Sequence, residues 1–135
     1  MVKIKMENIN ELIVDKNGTQ KWYKNKFIHR DNDQPAVIYI SGTQQWYQNG
    51  FLHRDNDKPA LSYSNGDQFW YQNGRLHRDN DQPAVIESNG TQAWFQNGKR
   101  HRKDKPAIIY DDRLEWYVNG VKQENGELDA FYVKG

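Results

Sequence analysis

The chain has 135 residues, 36% of them hydrophobic, with a mean hydropathy of -1.12 and a net charge of +1 from nineteen basic and eighteen acidic side chains. That is enough for one domain without a deep greasy core, and the balanced, interspersed charges exclude a broad field that would steer nucleic acid or anionic lipid. The absence of cysteine excludes disulfides, thiolate nucleophiles and cysteine-ligated zinc, while 13% aromatic residues argue against disorder.

Residues 1–16 carry apolar positions at Val2, Ile4, Ile9, Leu12, Ile13 and Val14 among charged side chains and read as an N-terminal cap. They lack the apolar run of about 7–15 residues that marks a signal peptide, so the expected location is cytoplasmic. From residue 17 to 121 the chain is five copies of one phrase. Trp22, Trp46, Trp70 and Trp94 recur every 24 residues, Trp116 follows after 22, and His29, His53, His77 and His101 keep the same step as the first four tryptophans. A fixed period of this length signifies stacked supersecondary units that bury their faces only against neighbours.

Each unit holds two hairpin signals. One is Asn17-Gly18, Ser41-Gly42, Asn65-Gly66 and Asn89-Gly90; the other is Asn25-Lys26, Asn49-Gly50, Asn73-Gly74, Asn97-Gly98 and Asn119-Gly120. Asn-Gly between short apolar runs favours a two-residue turn because both residues tolerate positive φ. The Asp-Asn-Asp-x-Pro segments ending at Pro35, Pro59 and Pro83, with a shorter version at Pro106, supply a third connection. Each unit is therefore expected to be a three-stranded meander, and the whole chain an all-β, elongated, single-layer antiparallel sheet, twisted or curled, forming one domain. If both Gly turns have two-residue loops, Trp46 faces Val37 on one side and His53 on the other. His53 then meets Leu61, giving a continuous Val-Trp-His row, with Tyr47 between Ala36 and Leu52 on the opposite face. The fifth unit is atypical, with Asp111-Asp112 for Asn-Gly and Gln123 for His, as expected of a terminal repeat. Residues 122–135 read as a C-terminal cap with a hairpin at Asn125-Gly126 and with Phe131 and Tyr132 as cover.

The periodic histidines invite a metal reading. With three strands per unit at about 4.8 Å each, equivalent histidines stand roughly 14 Å apart, too far to share one ion. A site within a unit would use His53 with Asp55 or Asp57, and Asp-Asn-Asp resembles the start of a calcium loop but lacks its later Gly and Glu. The reading is therefore that the chain needs no metal and no cofactor. An enzyme requires a unique convergent cluster, and copied His, Asp and Arg residues supply none, so the chain reads as non-enzymatic. Asn17 and Asn89 stand in Asn-x-Thr sequences, here read as turns. The aromatic residues are the better binding candidates: Trp22, Trp46, Trp70, Trp94 and Trp116 on one face, Tyr47 and Tyr71 on the other. Phe51, Arg75, Lys99 and Val121 occupy one equivalent position after the second Gly turn, so variation there gives successive repeats different contacts on a constant frame.

The phrase Trp46-Tyr47-Gln48-Asn49-Gly50 with His53, and its copies across residues 17–121, resembles the MORN type of β-hairpin repeat in its variant form. It is also similar to tandem repeat proteins of giant DNA viruses and of bacteria. It differs in carrying Arg30, Arg54, Arg78 and Arg102 after the His, where the usual repeat has Gly. The resemblance implies an elongated sheet used in protein association, scaffolding or phospholipid contact. The expected partner is a protein, bound by a monomer or homodimer. The alternatives are a carbohydrate held on the Trp face, where Gln44, Gln48, Gln68, Gln72, Gln92 and Gln96 add amides, and a membrane-surface scaffold, which the balanced charge disfavours.

Overall fold

The computed structural model describes residues 10–124; the expectations for Val2, Ile4, Ile9 and the hairpin at Asn125-Gly126 lie outside them. Among the described residues there are 18 short strands in antiparallel pairs and no helix, so none is long and apolar enough to cross a membrane. The all-β meander is thus the observed architecture. Twelve strands form one open sheet, beginning with Glu11–Val14 and Gln20–Lys24 and ending with Leu114–Val118 and Val121–Gln123.

Inside that sheet each repeat contributes two strands, not three. Gln44–Gln45 lies between Val37–Ile38 and Leu61–Ser62, with Gln45 opposite both Val37 and Leu61. The remaining residues leave the sheet as separate two-stranded hairpins, such as Tyr47–Gln48 with Phe51–Leu52. Trp46 sits at the corner between them. Its N–H donates to Ala60 O of the sheet at 2.7 Å, while its carbonyl accepts from His53 N of the hairpin at 3.0 Å. A strand that the sequence suggests is continuous through Gln-Trp-Tyr is therefore divided at the Trp.

The register corrects one expectation and bears out another. At Asn49-Gly50 both residues have positive φ, 51° and 86°, the two-residue turn expected, and Tyr47 faces Leu52. At Ser41-Gly42 only the glycine does, with φ 96°; Tyr39 N bonds Thr43 O, and Gly42 N bonds Tyr39 O. This is a three-residue loop with a glycine bulge. The extra residue shifts the pairing by one, so Val37 faces Gln45 rather than Trp46, and the Val-Trp-His row does not form. Leu61 pairs with Gln45 and Phe69 instead of His53, and the bonded neighbours of Ala36 are Trp22 and Gln45, not Tyr47.

The core runs along the true register. Val37, Leu61, Val85, Ala93 and Ile108 are buried in one cross-strand row with Gln45 and Phe69 between them. Beside it lie the fully buried Ala36, Ala60, Ala84 and Ala107, each accepting the N–H of a Trp, and the buried Trp46, Trp70, Trp94 and Trp116. For Ala107 that Trp is Trp94. Cores of this density leave a cavity when a large ring is removed, at a cost of about 3–5 kcal/mol for Trp to Ala. Trp70→Ala should therefore lower stability by ~3–5 kcal/mol in urea unfolding, whereas Phe51→Ala, at an exposed ring, should stay within about 0.5 kcal/mol. Equal effects would contradict this division between core and surface.

Candidate functional site

One cluster recurs at three successive junctions between repeats. The Arg54 guanidinium lies over the Trp46 ring, 3.8 Å from its centroid. Its Nε and Nη2 donate to the two carboxylate oxygens of Asp33 at 2.8 and 3.3 Å, and Nη1 donates to Pro59 O at 3.1 Å. The Trp46 indole N–H donates to the backbone carbonyl of the same Asp33, at 3.2 Å. Arg78, Trp70 and Asp57 repeat the arrangement, as do Arg102, Trp94 and Asp81. Consecutive Asn and Asp residues in the left-handed region, Asn32 and Asp33 with φ 62° and 54°, turn the loop so that carbonyl and carboxylate both face the next unit. The aspartate thus pairs with the Arg of the following repeat, 21 residues on, not with that of its own.

The histidines form a second junction. Nδ1 of His29 accepts the backbone N–H of Asn49 at 3.0 Å, which places its proton on Nε2, donated to Asp31 at 2.7 Å. His53 and His77 bond in the same way, to Asp55 and Asn73 and to Asp79 and Asn97. Both imidazole nitrogens are engaged. Among the described residues no three His, Asp or Glu side chains gather as metal ligands, and Asp57, the other residue of the expected unit site, is held by Arg78. Two sheet strands per unit also place equivalent histidines about 10 Å apart rather than 14 Å.

The sequence-derived binding residues divide sharply. Trp46, Trp70, Trp94 and Trp116 are buried and Trp22 is half-buried under Arg30. The Gln48, Gln72 and Gln96 amides donate to the backbone carbonyls of Arg30, Arg54 and Arg78 in the preceding unit. The surface expected to stack sugars is therefore internal. Tyr47 and Tyr71 are half-buried, and burial, reinforced by neighbouring tyrosines, raises both phenol pKa values. Phe51 and Arg75 are exposed, and they belong to a row.

That row runs along the hairpin tips. Phe27, Phe51, Arg75, Lys99 and Val121 each follow the second turn, and each of the first four lies over the turn glycine of the next unit. A Cβ built on Gly74 would stand 3.0 Å from Phe51 Cδ1, and one on Gly98 would stand 3.6 Å from Arg75 Cβ. Glycine there provides both the positive φ and the seat. Phe27, Phe51 and Val121 are 57%, 58% and 63% exposed.

No protein-family model and no curated protein sequence matches the chain.

Sequence reasoning did not find the inter-unit Arg-Trp-Asp cluster, although its signal was present in the common period of those three residue types. It also left out the second exposed group at the other turns, Tyr39, Ile40 and Tyr63. The ion pairs make the junctions sensitive to acid. Hydrogen bonds from Arg54 and then Lys58 lower the Asp33 pKa from 3.8 to about 2, and bonds from Arg78 and Arg102 lower Asp57 and Asp81. A carboxyl group with a depressed folded-state pKa stabilises the fold above its unfolded value and loses that contribution as pH falls. The melting temperature should therefore drop between about pH 4 and pH 2. Asp33→Asn, Asp57→Asn and Asp81→Asn combined should lower it at neutral pH and flatten that acid decline; an unchanged slope would remove these pairs from the account.

Proposed function

We propose that the chain is a non-enzymatic protein-interaction module whose contact surface is the hairpin-tip row. The observation that carries this reading is the contrast between positions. Trp, Arg, His and the loop aspartates are nearly constant from unit to unit and are spent on joining units, whereas the tip position changes from Phe27 and Phe51 to Arg75, Lys99 and Val121, the first four on the same glycine seat. A constant frame that carries an exposed variable position in each repeat is the arrangement by which repeat proteins build extended recognition surfaces. Phenylalanine and arginine are also among the residue types enriched at protein interfaces. The resemblance to MORN-type repeats in the Trp-Tyr-x-Asn-Gly phrase agrees with this reading, as does the engagement of both nitrogens of His29, His53 and His77, which leaves those imidazoles no lone pair for catalysis. A cytoplasmic setting belongs to the same proposal.

A photocrosslinking amino acid placed at 51, 75 or the exposed turn residue Asn65, in the full chain within its own cell lysate, tests the reading. The same identified protein should be captured from 51 and 75 and not from 65, and Phe27→Ala with Phe51→Ala should reduce capture at 75 at least fivefold. Retention on polysaccharide or on anionic vesicles with no crosslinked protein would overturn the proposal in favour of a carbohydrate or membrane role.

A further inference from the structure

The tip row has a chemical direction. It begins with two aromatic rings, Phe27 and Phe51, and continues with two cations, Arg75 and Lys99. Arg30, Arg54, Arg78 and Arg102 lie over tryptophan rings, and the last three are also bound to aspartates. The side chains of Arg75 and Lys99 have no ion pair or hydrogen bond among the described residues. Their stems rest on Gly98 and Gly120, and their charged ends are left to solvent. Between the second and third positions lies a cavity of about 530 Å³ lined by Phe51, Asn73, Arg75, His77, Asp79 and Asn97. The Asp79 carboxylate there accepts from Nε2 of the neutral His77 and keeps its charge, but among the described residues it makes no ion pair with Arg75.

Spacing restricts what can follow this row. Each hairpin is bonded to the next, Gly74 N–H to Leu52 O and Gly98 N–H to Leu76 O both at 2.8 Å, so successive tips stand two strand separations apart, about 9.6 Å. A polyproline II chain rises about 3.1 Å per residue with three residues per turn, so every third side chain returns to one face after about 9.3 Å. A β-strand covers a similar distance in three residues but presents alternate faces at odd steps. An α-helix reaches the spacing only at seven residues, about 10.5 Å, and its backbone carbonyls are already bonded internally. The polyproline II backbone has no internal hydrogen bonds. Asn73 and Asn97 line the cavity with exposed side-chain amides that make no hydrogen bond among the described residues, available to donate to such carbonyls.

We infer that the tip row binds an extended, proline-rich acidic segment of a protein partner, with apolar side chains at two successive every-third positions against Phe27 and Phe51 and carboxylates at the next two against Arg75 and Lys99. This rests on the protein-interaction reading and specifies its partner.

The test uses a fluorescein-labelled proline-rich peptide with Leu at two every-third positions and Glu at the following two, synthesised in both chain directions. The controls are a peptide of identical composition with the Leu and Glu positions shuffled out of phase, and one with Lys for Glu. By fluorescence anisotropy at low salt, the patterned peptide should bind saturably in one direction, at least tenfold more tightly than the shuffled one and more weakly as salt rises. Arg75→Glu with Lys99→Glu should weaken it at least tenfold and gain affinity for the Lys peptide. Both replaced side chains are exposed and unpaired, so the circular dichroism melt should be unchanged. No saturable binding in either direction, equal binding of the shuffled peptide, or indifference to the charge reversal would each overturn the inference. If any of these occurs while crosslinking at 51 and 75 still captures one protein, the interaction module stands and only this class of partner falls; loss of both overturns both.

Discussion

The structure depends on a guanidinium that is shared across a repeat boundary. Arg54 covers Trp46, fastens the start of its own sheet strand through Pro59 O and reaches back to both oxygens of Asp33. Arginine suits this role because its plane stacks on an indole while its fork matches a carboxylate, combining two contacts that a lysine would have to choose between. The indole closes the ring of contacts through the carbonyl of the same aspartate. An exposed ion pair contributes little alone, but here the cation is mostly covered, the ring is in the core and the backbone is bonded as well. A chain poor in aliphatic residues acquires order from these repeated polar junctions together with one thin row of Val, Leu, Ala and Ile.

Much of the frame was legible in the residues. The period of 24, the absence of helices among the described residues and the two-residue turn at Asn49-Gly50 follow from local chemistry, and that turn carried the pairing of Tyr47 with Leu52. The turn at Ser41-Gly42 was not legible in the same way. A dipeptide ending in Gly serves either a two-residue loop with two positive φ values or a three-residue loop with one, and the choice displaces every partner beyond it by one. Asn65 and Asn89 show how little the dipeptide decides: each precedes a Gly as Asn49 does, yet neither takes positive φ. The strand break at Trp46 was hidden for a different reason. Its N–H and C=O serve two different partners, one in the sheet and one in the hairpin, a tertiary circumstance that alternation along the chain does not encode.

The candidate site was legible in part. Phe51 and Arg75 were identifiable because they vary within an otherwise copied phrase, whereas the tryptophans drew attention for the opposite reason and lie in the core. Three of them, Trp46, Trp70 and Trp94, are covered by the Arg that follows each His, the residue that sets this phrase apart from the MORN-type pattern it resembles, while Trp116 is buried without one. With Gly in that place there would be no guanidinium to cover the ring and no link back to the previous aspartate. The same replacement that closes one aromatic row thus leaves the tips of the hairpins as the exposed aromatic feature.

Because successive interior junctions are made of the same contacts, the unit of change in this molecule is a whole repeat. Removing or adding one keeps the Arg-Trp-Asp junctions in phase and moves the two ends of the sheet by about 9.6 Å. The repeat number is therefore a ruler, and the order of residues at the tips is the scale marked on it. A genetic duplication of 24 codons would lengthen the readable surface by one mark without a new fold to invent, while a slip that is not a multiple of 24 would throw Arg and Asp out of phase.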